Sequence, residues 1–166
     1  MKKVVFSLVL CFVTFCMYSQ DVVYANNEET NIQEVLSPVV HWEKTFQDAI
    51  TKAKTEKKPI LIYFTGSDWC GPCIQLDKNL FHTDKFLSYS KDHLVVYIAD
   101  FPRNTDLVSK ENKKTNKQLS KKYKQESFPT MIIIDDKGNV LGRKNGTYMA
   151  EYYYPFFKDA VTKYKS

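Results

Sequence analysis

Between Pro59 and Cys73 the chain reads PILIYFTGSDWCGPC: an apolar run, a short polar turn, then two cysteines separated by Gly71 and Pro72. The unbroken apolar character of Ile60–Phe64 predicts a strand covered on both faces of a sheet. The cysteines follow where a helix should open. Thiols at this spacing fall on one side of a first helical turn, close enough to bond to each other. Such a pair can bind a metal, staple a turn or exchange electrons.

A structural zinc site needs four ligands. The only other cysteines are Cys11 and Cys16, near the start, and the histidines His41, His82 and His93 show no zinc spacing. No metal and no cofactor is therefore expected. A loop closed by so short a ring constrains the unfolded chain little and makes a weak staple. Electron exchange fits best, with C-x-x-C beside a strand-helix-strand pattern. The two sulfurs are then unequal. Cys70, at the helix start, meets unpaired amides and the positive end of the helix dipole, which should bring its pKa from about 8.5 toward about 7. Cys73, one turn in, stays protonated because burial penalises its charge. Cys70 is the expected attacking sulfur and Cys73 the resolving one. Gly71 permits a tight entry and Pro72 suits the first turn, while Trp69 is placed to shield the sulfurs and present a flat apolar face.

Working outward, Trp42, Phe46, Ala49, Ile50 and Ala53 recur at helical spacing up to Pro59. The helix begun at Cys70 should continue through Ile74, Leu76 and Leu80, with a short helical stretch around Phe86 and Leu87. HLVVYIAD, His93–Asp100, reads as a second buried strand, reached by a right-handed parallel crossover. A polar loop and a helix anchored by Leu119 and Tyr123 lead to TMIIIDDKGNVLGRKNG. There Asp136-Lys137-Gly138-Asn139 supplies the turn of an antiparallel hairpin. An aromatic helix closes the chain. Pro155 should make it begin within a turn of Tyr154 or bend there, and Tyr152, Tyr153, Tyr154, Phe156 and Phe157 read as a core-facing stripe. The expected class is α/β: a mixed sheet of four strands, five if PVVH at Pro38–His41 adds one, with helices on both faces.

The first residues, MKKVVFSLVLCFVTFCMYSQ, place Lys2 and Lys3 before an apolar run, the layout of a secretory signal peptide. Residues 1–25 are the expected leader, cut after Ala25 or Ser19, which would remove Cys11 and Cys16. Residues 26–38 are a polar lead-in and 39–166 the domain, in a compartment where disulfides persist. An uncleaved N-terminal anchor is the variant reading. At 166 residues with 43% apolar and 26% charged, the composition suits one globular domain and excludes whole-chain disorder. Of the formal charge of +5, much sits in seven lysines between Lys110 and Lys124. Lys113, Lys117 and Lys121 at i, i+4 spacing read as a solvated helix face, so no nucleic-acid partner is expected.

WCGPC after a buried strand, with SFPT at Ser127–Thr130 opening the antiparallel pair, resembles the thioredoxin superfamily over roughly residues 42–165. More narrowly, KPILIYFTGSDWCGPC with its insertion before FPT is similar to exported thioredoxin-like proteins and to the periplasmic thioredoxin-like domain of the membrane thiol-disulfide interchange protein. The resemblance implies a thioredoxin-like fold, a redox-active Cys70–Cys73 disulfide and a cis bond before Pro129, facing the dithiol. It also implies that Phe128, Pro129 and Thr130 bind substrate, an extended segment pairing with the backbone of Phe128. The implied partners are protein or peptide disulfides and a membrane thiol reductant as electron donor, with the protein a monomer. One position departs. Where cytoplasmic thioredoxins keep a buried Asp beneath the resolving cysteine, this chain has Tyr63 or Phe64, leaving water, Asp68 or Asp77 to take the Cys73 proton. The expected function is an exported, periplasmic reductase of protein disulfides. The alternatives are an oxidase or isomerase, a non-catalytic peptide-binding module, and a metal carrier.

Overall fold

In the computed structural model the described residues are 40–166. The leader and lead-in expected at 1–25 and 26–38 lie outside them. Four strands, β1 (Ile60–Thr65), β2 (Val95–Asp100), β3 (Thr130–Ile134) and β4 (Val140–Asn145), form one sheet in the order β2-β1-β3-β4. β1 runs parallel to β2 and antiparallel to β3, which pairs antiparallel with β4. Among the described residues there is no fifth strand: Val40 and His41 lie outside any strand, and Pro38 and Val39 lie outside the described residues.

β1 is buried at every position because its alternate side chains enter two separate cores. Leu61 and Tyr63 join Val96, Met131 and Ile133 on one side; Ile60, Ile62 and Phe64 join Tyr97, Ala99 and Ile132 on the other. Five helices cover the sheet: α1 (Phe46–Glu56), α2 (Gly71–Leu76), α3 (Asp84–His93), α4 (Lys110–Lys122) and α5 (Tyr153–Lys165). Ala49 and Ala53 of α1 and Leu119 of α4 fill the second core, whereas Leu76, Phe86, Tyr153 and Phe157 of α2, α3 and α5 fill the first.

Local chemistry sets the helix ends. The Thr45 hydroxyl accepts the Asp48 N–H at 3.1 Å and the Asp48 carboxylate accepts the Thr45 N–H at 3.1 Å, a reciprocal cap that starts α1 at Phe46. Trp42, expected within that helix, instead packs on Tyr63 and Phe81 with centroids 6.1 and 5.1 Å away. The stretch expected around Phe86 is a ten-residue helix, because the Thr83 hydroxyl caps it by accepting the Phe86 N–H. In the hairpin the Asp135 carboxylate, rather than Asp136, gathers the turn by accepting N–H groups from Lys137 and Asn139. Gly138 takes a φ of 89° there, which a side chain would strain. α5 begins at Tyr153 with Pro155 in its first turn, where the missing N–H costs least.

Asn116 of α4 ties that helix to the end of β2. Buried in the second core's wall, it accepts the Tyr97 hydroxyl at 2.6 Å and donates to the Asp100 carbonyl at 3.0 Å. Asn116→Ala orphans both groups, and we expect a loss of about 2–3 kcal/mol in urea unfolding. Adding Tyr97→Phe should recover part of it.

Candidate active site

The site is built at the C-terminal end of β1. The Thr65 carbonyl accepts the Phe101 N–H at 2.8 Å, and the chain then turns from Gly66 to Trp69 with the Gly66 carbonyl accepting the N–H groups of Trp69 and Cys70. Two carboxylates moor this turn to the loop after β2. Asp100 accepts the Ser67 N–H and hydroxyl at 2.9 and 2.6 Å, and Asp68 accepts the N–H groups of Arg103 and Asn104 at 2.9 and 2.8 Å.

Cys70 is the N-cap of α2, with extended backbone and its carbonyl accepting the N–H groups of Cys73 and Ile74. No side chain caps this end, so Cys70 stands at the positive end of the α2 dipole with no competing cap. Gly71 and Pro72 form the first turn, and a π-helical turn, Asp77–Phe81, prolongs the helix. A disulfide joins Cys70 to Cys73, with Cα atoms 5.2 Å apart. Both cysteines are buried, Cys70 at 5% exposure and Cys73 at 1%, so Cys70 is the more accessible of the two.

Around Trp69, the residue before Cys70, the structure assembles aromatic side chains from two other segments. The Trp69 indole N–H donates to the Phe101 carbonyl at 2.8 Å. Its ring meets Phe128 edge-on at 5.7 Å, Phe101 packs on Phe128 at 5.5 Å, and the Arg103 guanidinium lies 5.5 Å over the indole. The indole lies on Gly66: a Cβ there would stand 2.4–2.7 Å from its atoms. We expect Gly66→Ala to swing Trp69 off its seat and break the bond to Phe101, seen as a shifted indole N–H resonance with little loss of stability.

The Phe128–Pro129 peptide is cis, as the resemblance implies. Phe128 is half-buried and Pro129 buried. Thr130 is turned inward at 1% exposure, its hydroxyl donating to the Ser127 carbonyl at 2.7 Å, so its side chain braces the loop and does not reach the surface. The Thr147 hydroxyl donates to the Pro72 carbonyl at 3.4 Å. Phe101, Arg103 and Thr147 had no motif to announce them; they reach the site only through packing between distant segments.

Beneath Cys73 stands Tyr63; Phe64 faces the other core. The buried Tyr63 hydroxyl donates to the Cys73 carbonyl at 3.2 Å. Burial holds its phenol well above the ordinary value of 10, so it keeps its proton and remains a donor. The two carboxylates considered as proton acceptors differ. Asp68 is fully exposed, and the N–H groups of Asn104 and Arg103 hold its carboxyl below the ordinary range, which makes it a poor base. Asp77, one turn after Cys73 and half-buried, is lifted above that range by burial, against the opposing charges of His82 and Lys78. Among the described residues no helix is long and apolar enough to cross a membrane.

Residues 46–160 match the model of the thioredoxin-like domain family. Disulfide bond reductase DsbH of Chlamydia pneumoniae is 33% identical over 104 residues, which cover 63% of this chain and 61% of that protein. Thioredoxin-related protein DsbJ of the same organism is 29% identical over 99 residues, 59% of this chain and 28% of that protein. The chain thus spans about three fifths of the length of the first of these relatives and under a third of the second. A solved structure of a DsbH oxidoreductase superposes with a TM-score of 0.66 at 30% identity, covering 75% of this chain and 85% of that one.

Proposed function

The chain belongs to the thioredoxin-like family, and from that premise we propose that it is an exported thiol-disulfide oxidoreductase that reduces protein disulfides, with Cys70 attacking and Cys73 resolving. The observation that carries this reading is the Cys70–Cys73 disulfide at an uncapped helix N-terminus, with the outer sulfur the more accessible. In the reduced protein the Cys70 thiolate attacks one sulfur of a substrate disulfide. A Cys70–substrate bond forms and the other substrate sulfur leaves as a thiolate, which takes up a proton. Cys73 then attacks the Cys70 sulfur, the second substrate thiol departs, and the Cys70–Cys73 bond closes. Two electrons have passed to the substrate, and the protein stands in the oxidised form seen here.

Cys73 must lose its proton during the second step. Tyr63 cannot take it, since burial keeps its hydroxyl protonated. Of the two nearby carboxylates Asp77 is the better acceptor, because desolvation has raised its basicity. Phe128 and Trp69 supply the apolar floor beside the sulfurs, and the backbone at Phe128 pairs with the extended substrate.

The Gly-Pro dipeptide supports the reducing direction, since dithiols of this type have potentials near about −270 mV, against about −120 mV for strong oxidants. The name of the DsbH relative, a disulfide bond reductase, points the same way. Export rests on Lys2, Lys3 and the apolar run that follows them. In an oxidising compartment the enzyme needs a membrane thiol reductant to restore its dithiol. Equilibration of the purified protein with glutathione buffers tests the direction: we expect a midpoint more negative than about −220 mV, together with catalysed reduction of insulin. A midpoint near that of a strong oxidant would replace the reductase by an oxidase.

A further inference from the structure

The lysine run of α4 takes no part in the exchange chemistry, yet the fold gives it a particular setting. Between Lys110 and Lys124 seven lysines stand against one acid, Glu111. Among the described residues none of them is in an ion pair. The pairs that form join Lys52 to Glu43, Lys58 to Glu56, His82 to Asp77 and Lys163 to Asp159. Like charges at helical spacing repel, so the stripe costs stability where no counter-charge meets it.

Two of these lysines help to wall a cleft. Lys113 and Lys117 line, with Phe101, Pro102 and Thr105, a cavity of about 330 Å³. Its two sides are fixed to each other, because Asn116 of α4 donates to the Asp100 carbonyl at 3.0 Å. The Asp100 carboxylate, which also borders the cleft, is already engaged: its two oxygens accept the N–H and hydroxyl of Ser67. Phe101 joins the cleft to the exchange site, since its carbonyl holds the Trp69 indole and its ring packs on Phe128. Arg103, two residues on, lays its guanidinium over Trp69 at 5.5 Å and is likewise in no ion pair among the described residues. Unpaired cations thus run from Trp69, beside Cys70, to α4.

We propose that this cationic flank docks an acidic segment of a partner protein, a run of Asp and Glu side chains close to the disulfide that Cys70 attacks. The inference rests on the reading of the dithiol as the exchange site. Charge complementarity selects the occupant. Carboxylates that meet Lys113 and Lys117 over the apolar surface of Phe101 and Pro102 are less screened than pairs in open water. Arg103 offers a planar fork to a carboxylate nearer the sulfurs. A second copy of the chain does not fit, since each copy carries a formal charge of +5 and the two repel. An anionic membrane fits less well than a protein: none of the large exposed apolar side chains belongs to α4, so the helix has nothing to bury among acyl chains. Electrostatic docking raises the association rate more than the lifetime of the complex, which suits an enzyme that must release each partner after one exchange.

The test uses short peptides, each carrying one cysteine as a mixed disulfide with a small thiol. A block of glutamates is moved stepwise along either side of the cysteine and compared with a matched glutamine block. A parallel set has serine for the cysteine and reports docking alone, by titration against the oxidised protein. At low salt we expect glutamates on one side to raise kcat/KM, and to tighten binding of the serine peptides, by roughly tenfold. The gain should vanish at about 1 M salt, where the Debye length is about 3 Å. The combined Arg103→Gln, Lys113→Gln, Lys117→Gln variant should bring the preference close to one. Lys91→Gln, Lys158→Gln, Lys165→Gln removes the same charge from α3 and α5, which pack on the other face of the sheet, and should keep it. Equal exchange of glutamate and glutamine peptides at low salt overturns the docking surface, as does a preference that survives the first triple variant or falls equally in the second. A protein that ignores the glutamates but sediments with phosphatidylglycerol vesicles through these cations assigns them to a membrane and overturns it as well. Serine peptides that bind through their glutamates, with no disulfide exchanged by any peptide, would retain the surface and remove the reductase reading.

Discussion

Cys73→Ser is expected to convert the protein into a trap: Cys70 still attacks, the mixed disulfide forms, and the substrate stays covalently attached until an added dithiol releases it. Cys70→Ser should do neither, leaving turnover at the uncatalysed level. The asymmetry follows from position, since Cys70 is the sulfur at the helix N-terminus and the more exposed of the two, while Cys73 is closed off beneath it. Non-reducing gels of each variant mixed with an oxidised substrate protein, resolved by mass spectrometry, provide the measurement. Equal trapping by both variants would mean that the helix terminus does not single out one sulfur, and the assigned roles would have to be abandoned.

The largest stability effect is expected at Phe157. It has no exposed surface and lies among Phe86, Tyr89, Tyr153 and Tyr154 at centroid distances of 5.7 to 6.1 Å. Truncation to alanine removes the ring and leaves a void that relaxes only in part, at a cost of about 3–5 kcal/mol. Against a typical total of about 5–15 kcal/mol, that consumes much of the margin and should lower Tm by on the order of 10 °C. Phe156→Ala is the control. That ring is only partly buried, and its loss should cost appreciably less. Calorimetry on the two variants separates a core-facing stripe from a surface one.

What the sequence disclosed depended on the range of the interactions involved. The buried strand at Ile60–Thr65, the paired cysteines, the hairpin and the onset of α5 near Pro155 were legible because each rests on neighbours within one element. The start of α1 was not. Periodicity alone admitted Trp42, and the reciprocal Thr45–Asp48 cap overrode it. Likewise the Thr83 hydroxyl gave α3 a length that the apolar pattern around Phe86 did not suggest. In the site, Trp69, Phe128 and Pro129 could be named from motifs, whereas choosing Tyr63 over Phe64 required knowing which core each enters. Thr147 is still further from local reading: its bond to Pro72 spans 75 positions.

The moorings of the turn before Cys70 bear on when the enzyme becomes active. Ser67 reaches Asp100, Asp68 reaches Arg103 and Asn104, and Trp69 reaches Phe101, all across more than thirty positions. None of these ties can exist until β1 and β2 lie side by side. Before that pairing, the turn that presents Cys70 at the start of α2 has none of its anchors, and the unequal roles proposed for the two sulfurs have no frame to rest on. Catalytic competence arrives with tertiary assembly, which spares the chain from exchanging electrons before it has reached its final shape.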